Sequence, residues 1–118
     1  MTGPLPDQTV TAHYLIHTEK RLVIIEAAQA NGIVLLPNNT LEPFRSTTYG
    51  VGELIEHALI QIQDLTRNHI VANTVDTAQS PWTFVITLGG SATTDGGTGA
   101  LQALGYTFYD DNNAPITE

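Results

Sequence analysis

A strand-like run, Trp82-Thr83-Phe84-Val85-Ile86-Thr87-Leu88, opens directly into Gly89-Gly90-Ser91-Ala92-Thr93-Thr94-Asp95-Gly96-Gly97-Thr98-Gly99, and then into a helix-like run, Ala100 to Leu104. Glycine has no Cβ, so such a backbone turns sharply and admits a ligand closely. A helix start offers unpaired N–H groups and the positive end of a dipole. Strand, Gly/Ser/Thr loop and helix start together make a candidate anion cradle. Asp95 is the one carboxylate inside the loop and the leading candidate for chemistry. The same glycines also suit tight turns made only for packing, and Asp is a favoured helix cap. The loop lacks the Gly-Lys-Ser/Thr ending of a Walker A motif, and Gln102 stands where a dinucleotide fingerprint needs its third glycine.

The rest of the 118 residues reads as one α/β domain, 1–118, with a mixed sheet. Val10 to Ile16 alternates apolar and polar residues as a strand does, His17 to Lys20 is a turn, and Arg21 to Ile25 is a second strand. Glu26 to Asn31 suggests a short helix with Gly32 as its C′ residue. Leu54, Ile55, Ala58, Leu59, Ile62 and Leu65 recur at helical spacing, and Thr47 or Thr48 is placed to cap that helix. Thr66 to Ser80 is polar without a period and reads as a loop. Trp82 to Leu88 is expected to be a buried strand. Gly105 stops the next helix, Tyr106 to Tyr109 is a strand, and Asp110 to Asn113 is a turn before a strand beginning near Ala114.

Charge narrows the partners. The formal net charge is −8, and the permanent cations, Lys20, Arg21, Arg45 and Arg67, form no cluster. That argues against nucleic acid. No stretch is apolar and long enough for a bilayer, and the start carries no signal peptide, so a cytoplasmic protein is expected. The chain has no cysteine, which rules out disulfides and thiolate metal sites. His13, His17, His57 and His69 show no metal-binding spacing and read as surface or structural residues.

Four stretches in order carry a resemblance. Thr2-Gly3-Pro4-Leu5, Ile25-Glu26 through Gly32 with Leu36-Pro37, Thr47 through Ile55, and Gly89 to Gly99 with Leu101 to Gly105 are similar to motifs of the bacterial glycerate kinase family. Thr94 stands where that family usually has Asn, and Thr66 to Ser80 is longer than the family's connection. The family's Pro-Asp-Ser-Phe-Lys type motif and its late Gly-Glu-Gly motif are absent.

The resemblance implies one lobe of a two-lobe kinase, without its Rossmann-like partner lobe and with Met1 as an artificial or misassigned start. It implies ATP and Mg²⁺ as cofactors and glycerate as substrate. Asp95 would then hold Mg²⁺ or receive the hydroxyl proton, and the sequence does not separate the two. The amides near Gly90, Ser91, Gly96 and Gly97, the hydroxyls of Ser91 and Thr93, and the motif from Thr48 to Glu53 would bind substrate or phosphate. Arg45 is the nearest cation for a substrate carboxylate; its alternative is a solvated surface arginine. Glu53 and Glu26 equally suit a helix's first turn by dipole alone. A lobe cut from its partner is expected to self-associate as a homodimer. The competing readings are a small-anion binding module without catalysis and a purely structural lobe.

Overall fold

The structure, a computed structural model, describes residues 1–37, 40–71 and 81–116, apart from the side chains of 68–71. Its chain order is β1 (Tyr14–His17), β2 (Leu22–Glu26), α1 (Ala28–Asn31), a 3₁₀ turn at Ile33–Leu35, α2 (Tyr49–Val71), β3 (Thr83–Thr87), α3 (Thr98–Ala103), β4 (Phe108–Tyr109) and β5 (Pro115–Ile116). β1 and β2 pair antiparallel, and β2 pairs parallel with β3, so the mixed α/β sheet expected from the sequence is present in the order β1-β2-β3. β4 and β5 form a separate hairpin. Its turn is held by Asp110 Oδ1, which accepts from the N–H groups of Asn112 and Ala114 at 2.8 Å each.

The core lies between the sheet's inner face and α2. Val23 and Ile25 of β2 and Leu54 and Ala58 of α2 are fully buried, with Ile62 one turn further along. Residues 54, 58 and 62 follow the four-residue helical repeat, so one stripe of α2 meets one face of the sheet. Full burial of a Leu or Ile contributes about 1.5–3 kcal/mol relative to exposure, so this short stripe anchors the long helix.

Four expectations change. α2 does not stop before Thr66: it runs to Val71, and the Thr66 hydroxyl donates to Ile62 O at 2.7 Å, a local bond that a helix accommodates. Residues 72–80 of that expected loop lie outside the described residues. The first strand starts at Tyr14 rather than Val10, because Met1 and Val10 exchange main-chain bonds with each other instead. Gly32 follows α1 in an extended conformation (φ −68°, ψ 142°); its lack of a side chain matters because a Cβ would meet Ala28 O. β3, expected to be buried, stands at the sheet's edge with Val85 41% and Ile86 39% exposed.

Two glycines of α2 let other backbone approach. A Cβ on Gly50 would collide with Thr2 O, and one on Gly52 with Ala100 O of α3. Helix propensity alone favours Gly52→Ala by about 1 kcal/mol. The clash is with main chain, which cannot swing aside, and overpacking of this kind costs about 1–3 kcal/mol. Gly52→Ala is therefore expected to lower stability in urea denaturation; a gain would show that α2 and α3 are not in close contact.

Candidate functional site

α2 and α3 both begin at one carboxylate. Asp95 Oδ2 accepts the N–H of Thr48 at 2.8 Å, the hydroxyl of Thr48 at 2.8 Å and the N–H of Gly99 at 3.2 Å. Its Oδ1 accepts the N–H of Gly97 at 3.0 Å. Thr48 Oγ1 in turn accepts the N–H of Ala100 at 2.9 Å, and Thr47 Oγ1 accepts that of Tyr49 at 3.1 Å. Asp95, Thr47 and Thr48 thus take up N–H donors at the starts of both helices. The local sequence allows this because Gly96 (φ 64°) and Gly97 (φ 88°) turn the chain through left-handed conformations into α3. A Cβ on Gly99 would also collide with Thr47 Oγ1.

Burial alone would raise the Asp95 pKa. The backbone N–H groups of Thr48, Gly97 and Gly99 and the Thr48 hydroxyl outweigh it and hold the carboxyl below the ordinary aspartate value. Asp95 is therefore ionised at neutral pH and is a weak base there.

The start of α3 consequently offers no free anion site: its donors already serve an internal anion. The open donors lie earlier in the loop. Among the described residues, no hydrogen bond uses the N–H of Gly90, Ser91 or Gly96. A Cβ on Gly89, Gly90, Gly96 or Gly97 would meet nothing within 4 Å, so the loop faces open space. The loop's back is pinned to α1. Ile33 N donates to Gly90 O at 2.7 Å, Ala92 N to Asn31 O at 2.8 Å, and Asn31 Nδ2 to Thr93 Oγ1 at 3.4 Å. The Thr94 hydroxyl donates to Pro43 O at 3.1 Å.

The structure divides the residues singled out in the sequence. Gly90, Ser91 and Gly96 form an exposed rim with free N–H groups. Thr48, Gly97 and Asp95 form the frame behind it, and Thr93 is tied to Asn31. Glu53 lies elsewhere: its Oε2 accepts Thr2 N at 2.6 Å and fixes the amino-terminal segment against α2. Arg45 is exposed and pairs with Glu42 (2.6 Å) and Asp7 (3.7 Å). It shares with Pro43, Phe44, Ser46, Thr94 and Asp95 a cavity of about 480 Å³, which the rim residues do not line. Glu26, exposed at the carboxyl end of β2, is the register partner of Thr87, two residues before the loop.

Among the described residues no group of three His, Cys, Asp or Glu is placed to hold a metal ion. His57 and the Tyr14 hydroxyl share a 2.7 Å hydrogen bond, a structural role, and burial raises the Tyr14 pKa. The side chain of His69 lies outside the described residues.

Asn31 escaped the sequence reading. It is only 3% exposed, and its Oδ1 has no partner among the described residues. An amide directly before Gly32 was its one sequence signal, and helix-end composition masks that signal, since Asn is common there.

Removing the Asp95 charge tests the frame. Asp95→Asn puts an NH₂ or a neutral oxygen against four donors and is expected to cost about 1–3 kcal/mol. The native carboxylate has a lowered pKa, so its stabilisation is present above the unfolded value of about 3.9 and is lost as pH falls through the lower folded value. Wild-type stability should therefore drop below about pH 4, and Asp95→Asn should flatten that drop. Denaturation curves from pH 7 to pH 3 measure both; equal pH slopes in the two proteins would refute the frame.

Residues 1–118 match the sequence profile of the glycerate kinase family. The glycerate kinase of Bacillus cereus is 40% identical over 116 residues, covering 98% of this chain and 26% of that protein. The glycerate 2-kinase of Escherichia coli is 34% identical over 116 residues, covering 98% of this chain and 26% of that protein. A crystal structure from Salmonella typhimurium LT2, assigned as a glycerate kinase 2, superposes with a TM-score of 0.74 at 34% identity, over 99% of this chain and 26% of that one. The chain spans about a quarter of the length of these relatives. The match runs through the residues of the carboxylate frame and of the glycine rim, and the chain belongs to the glycerate kinase family.

Proposed function

We propose that this chain supplies the glycine-loop part of the active site of a glycerate kinase, which moves the γ-phosphoryl group of ATP to a hydroxyl of glycerate. The observation that carries the reading is the rim at Gly90, Ser91 and Gly96, whose N–H groups are free and open to solvent while the loop behind them is pinned from two sides. Free, fixed backbone donors next to the carboxyl ends of parallel strands suit an anionic guest. Ser91 and Thr93 follow Gly90 in the loop, and Arg45, which lines one cavity with Asp95, is a cation for the carboxylate of glycerate.

Phosphoryl transfer depends on positioning and charge neutralisation more than on a strong base. Asp95 suits that demand. Its lowered pKa keeps it ionised, and Thr48, Gly97 and Asp95 together hold the loop in shape. The residues also fit Mg²⁺ in a limited way. Asp95 Oδ1 accepts one hydrogen bond only, so it retains capacity for one metal contact. Mg²⁺ is commonly held by one or two carboxylates plus substrate phosphates and water, and exposed Glu26, the register partner of Thr87, is a carboxylate at the strand end that precedes the loop. The metal, when bound, would neutralise charge on the phosphate oxygens. Glu53 is assigned a supporting role through Thr2.

The activity belongs to a polypeptide of the relatives' length, in which a second, Rossmann-like lobe completes the cleft, and the cytoplasm, where ATP is supplied, is its assigned compartment. Among the described residues no helix is long and apolar enough to cross a membrane. The isolated 118-residue chain is expected to show no turnover in a coupled ADP-release assay with glycerate and MgATP. Its loop amides, at Gly90, Ser91 and Gly96 above all, are expected to shift in ¹⁵N NMR spectra on titration with inorganic phosphate or MgATP. Unmoved loop amides would favour a purely structural role for the glycines.

A further inference from the structure

Asn31 stands where an asparagine has three ordinary uses, and it serves none of them. Asn suits a helix end because it tolerates a left-handed backbone. The non-glycine residues with positive φ among those described are Arg21 and Asn113, so Asn31 has no such need. Asn can also cap a helix, but no bond from the Asn31 side chain reaches an end of α1 among the described residues. A buried amide, finally, can tie a core together when both its halves are paired. Asn31 is almost wholly buried, and its Oδ1 has no partner.

The structural tasks at this position belong to the main chain. Asn31 N donates to Ala27 O at 3.0 Å, and Asn31 O accepts from Ala92 N at 2.8 Å. Gly32 and Ser91 form an antiparallel bridge, and Ile33 N donates to Gly90 O at 2.7 Å. Leucine, which branches at the same carbon, would keep every one of these bonds. The asparagine side chain adds a single long one, from Nδ2 to Thr93 Oγ1 at 3.4 Å. In exchange it buries an unmatched acceptor, which destabilises a fold.

What the amide does offer is a donor. A hydroxyl has one proton and two acceptor positions. Nδ2 carries hydrogens only, so its bond occupies an acceptor position of Thr93 Oγ1, and the Thr93 proton must point elsewhere. Among the described residues no acceptor takes that proton. Thr93 is half-buried, so a guest can reach it, and it lies two residues after Ser91, whose N–H is free.

We propose that Asn31 is a positioning residue of the loop's oxyanion site: its Nδ2 holds Thr93 Oγ1 from behind, so that the Thr93 hydroxyl donates outward to a phosphoryl oxygen. This role depends on the glycine loop taking a phosphoryl group, as the functional reading has it. Hydrogen bonds that serve a ligand are often long before it arrives and tighten in the complex, which suits the 3.4 Å separation. The unmatched Oδ1 is then a loss of stability retained at a site that needs the donor on the same amide.

The test titrates the 118-residue chain with inorganic phosphate and follows it by ¹⁵N NMR. The side-chain NH₂ of Asn31 should shift with the amides of Gly90 and Ser91, at the same midpoint. Asn31→Leu should bind phosphate about tenfold more weakly, while its urea midpoint stays equal or rises. Thr93→Val should weaken binding by a similar factor. Adding Asn31→Leu to Thr93→Val should change the affinity by about twofold at most, because the two residues act through one hydroxyl.

Three results would overturn this role and leave a phosphate-binding loop standing. They are loop amides that shift around an unmoved Asn31 NH₂, undiminished affinity in Asn31→Leu, and two single losses that multiply in the double variant. A lower urea midpoint for Asn31→Leu, or its failure to fold, would make the side chain a structural brace and overturn the role as well. Loop amides that stay still in the wild-type chain would overturn the functional reading and this role with it.

Discussion

A single ionised carboxylate organises this part of the molecule. Asp95 gathers donors from the starts of two helices that lie 47 residues or more apart from Thr48 onward in the chain. Left alone, those helix starts would repel each other, since each carries partial positive charge and unpaired N–H groups. The anion between them turns that repulsion into attraction. The close approach is completed by absent side chains: Gly52 and Gly99 leave room where a Cβ would strike Ala100 O and Thr47 Oγ1. The two motifs from Thr47 to Glu53 and from Gly89 to Gly99 are therefore halves of one contact, and neither makes structural sense without the other.

The glycine loop accordingly has an inside and an outside. Inside, Gly97, Gly99 and Asp95 serve the helices. Outside, Gly90, Ser91 and Gly96 keep donors that nothing in the described fold uses. Changes to the inner group act on stability and on any activity together, because the rim rests on the frame. In the outer group Ser91 is the position whose side chain can change without backbone strain, because Gly90 (φ 60°) and Gly96 (φ 64°) hold left-handed conformations.

The sequence made the sheet and the long helix legible because each follows a local period. The Leu54, Ala58 and Ile62 stripe and the hairpin of Tyr14–His17 with Leu22–Glu26 need no knowledge of distant residues. Thr66 hid the last part of α2 because a polar, β-branched residue looks like a loop until its hydroxyl finds Ile62 O. The role of Asp95 could not be read locally either. A carboxylate in a glycine loop serves equally as cap or ligand until its bond to Thr48 is known. Glu53 posed the same ambiguity, and its bond to Thr2, 51 residues earlier, gives it a structural partner. The pattern of β3 was legible, but its exposure was not, since burial depends on what lies beside a strand rather than on the strand itself.

The electrostatic balance of the site follows from the same carboxylate. With both helix starts turned toward Asp95, their dipoles are neutralised from within and add little pull on an outside anion. The chain as a whole is negative. Under the proposed function, attraction for phosphate or a substrate carboxylate comes from short-range donors at the rim, from Arg45 once it is released from Glu42 and Asp7, and from cations brought by the nucleotide or by the rest of the polypeptide. Arg45 is exposed, so its ion pairs are weak and exchangeable, worth about 0–1 kcal/mol. A buried, fully paired arginine would be too costly to redirect. The chain is thus arranged to hold its loop rigidly with one internal anion, and under the proposed function most of the compensating positive charge arrives with the ligand.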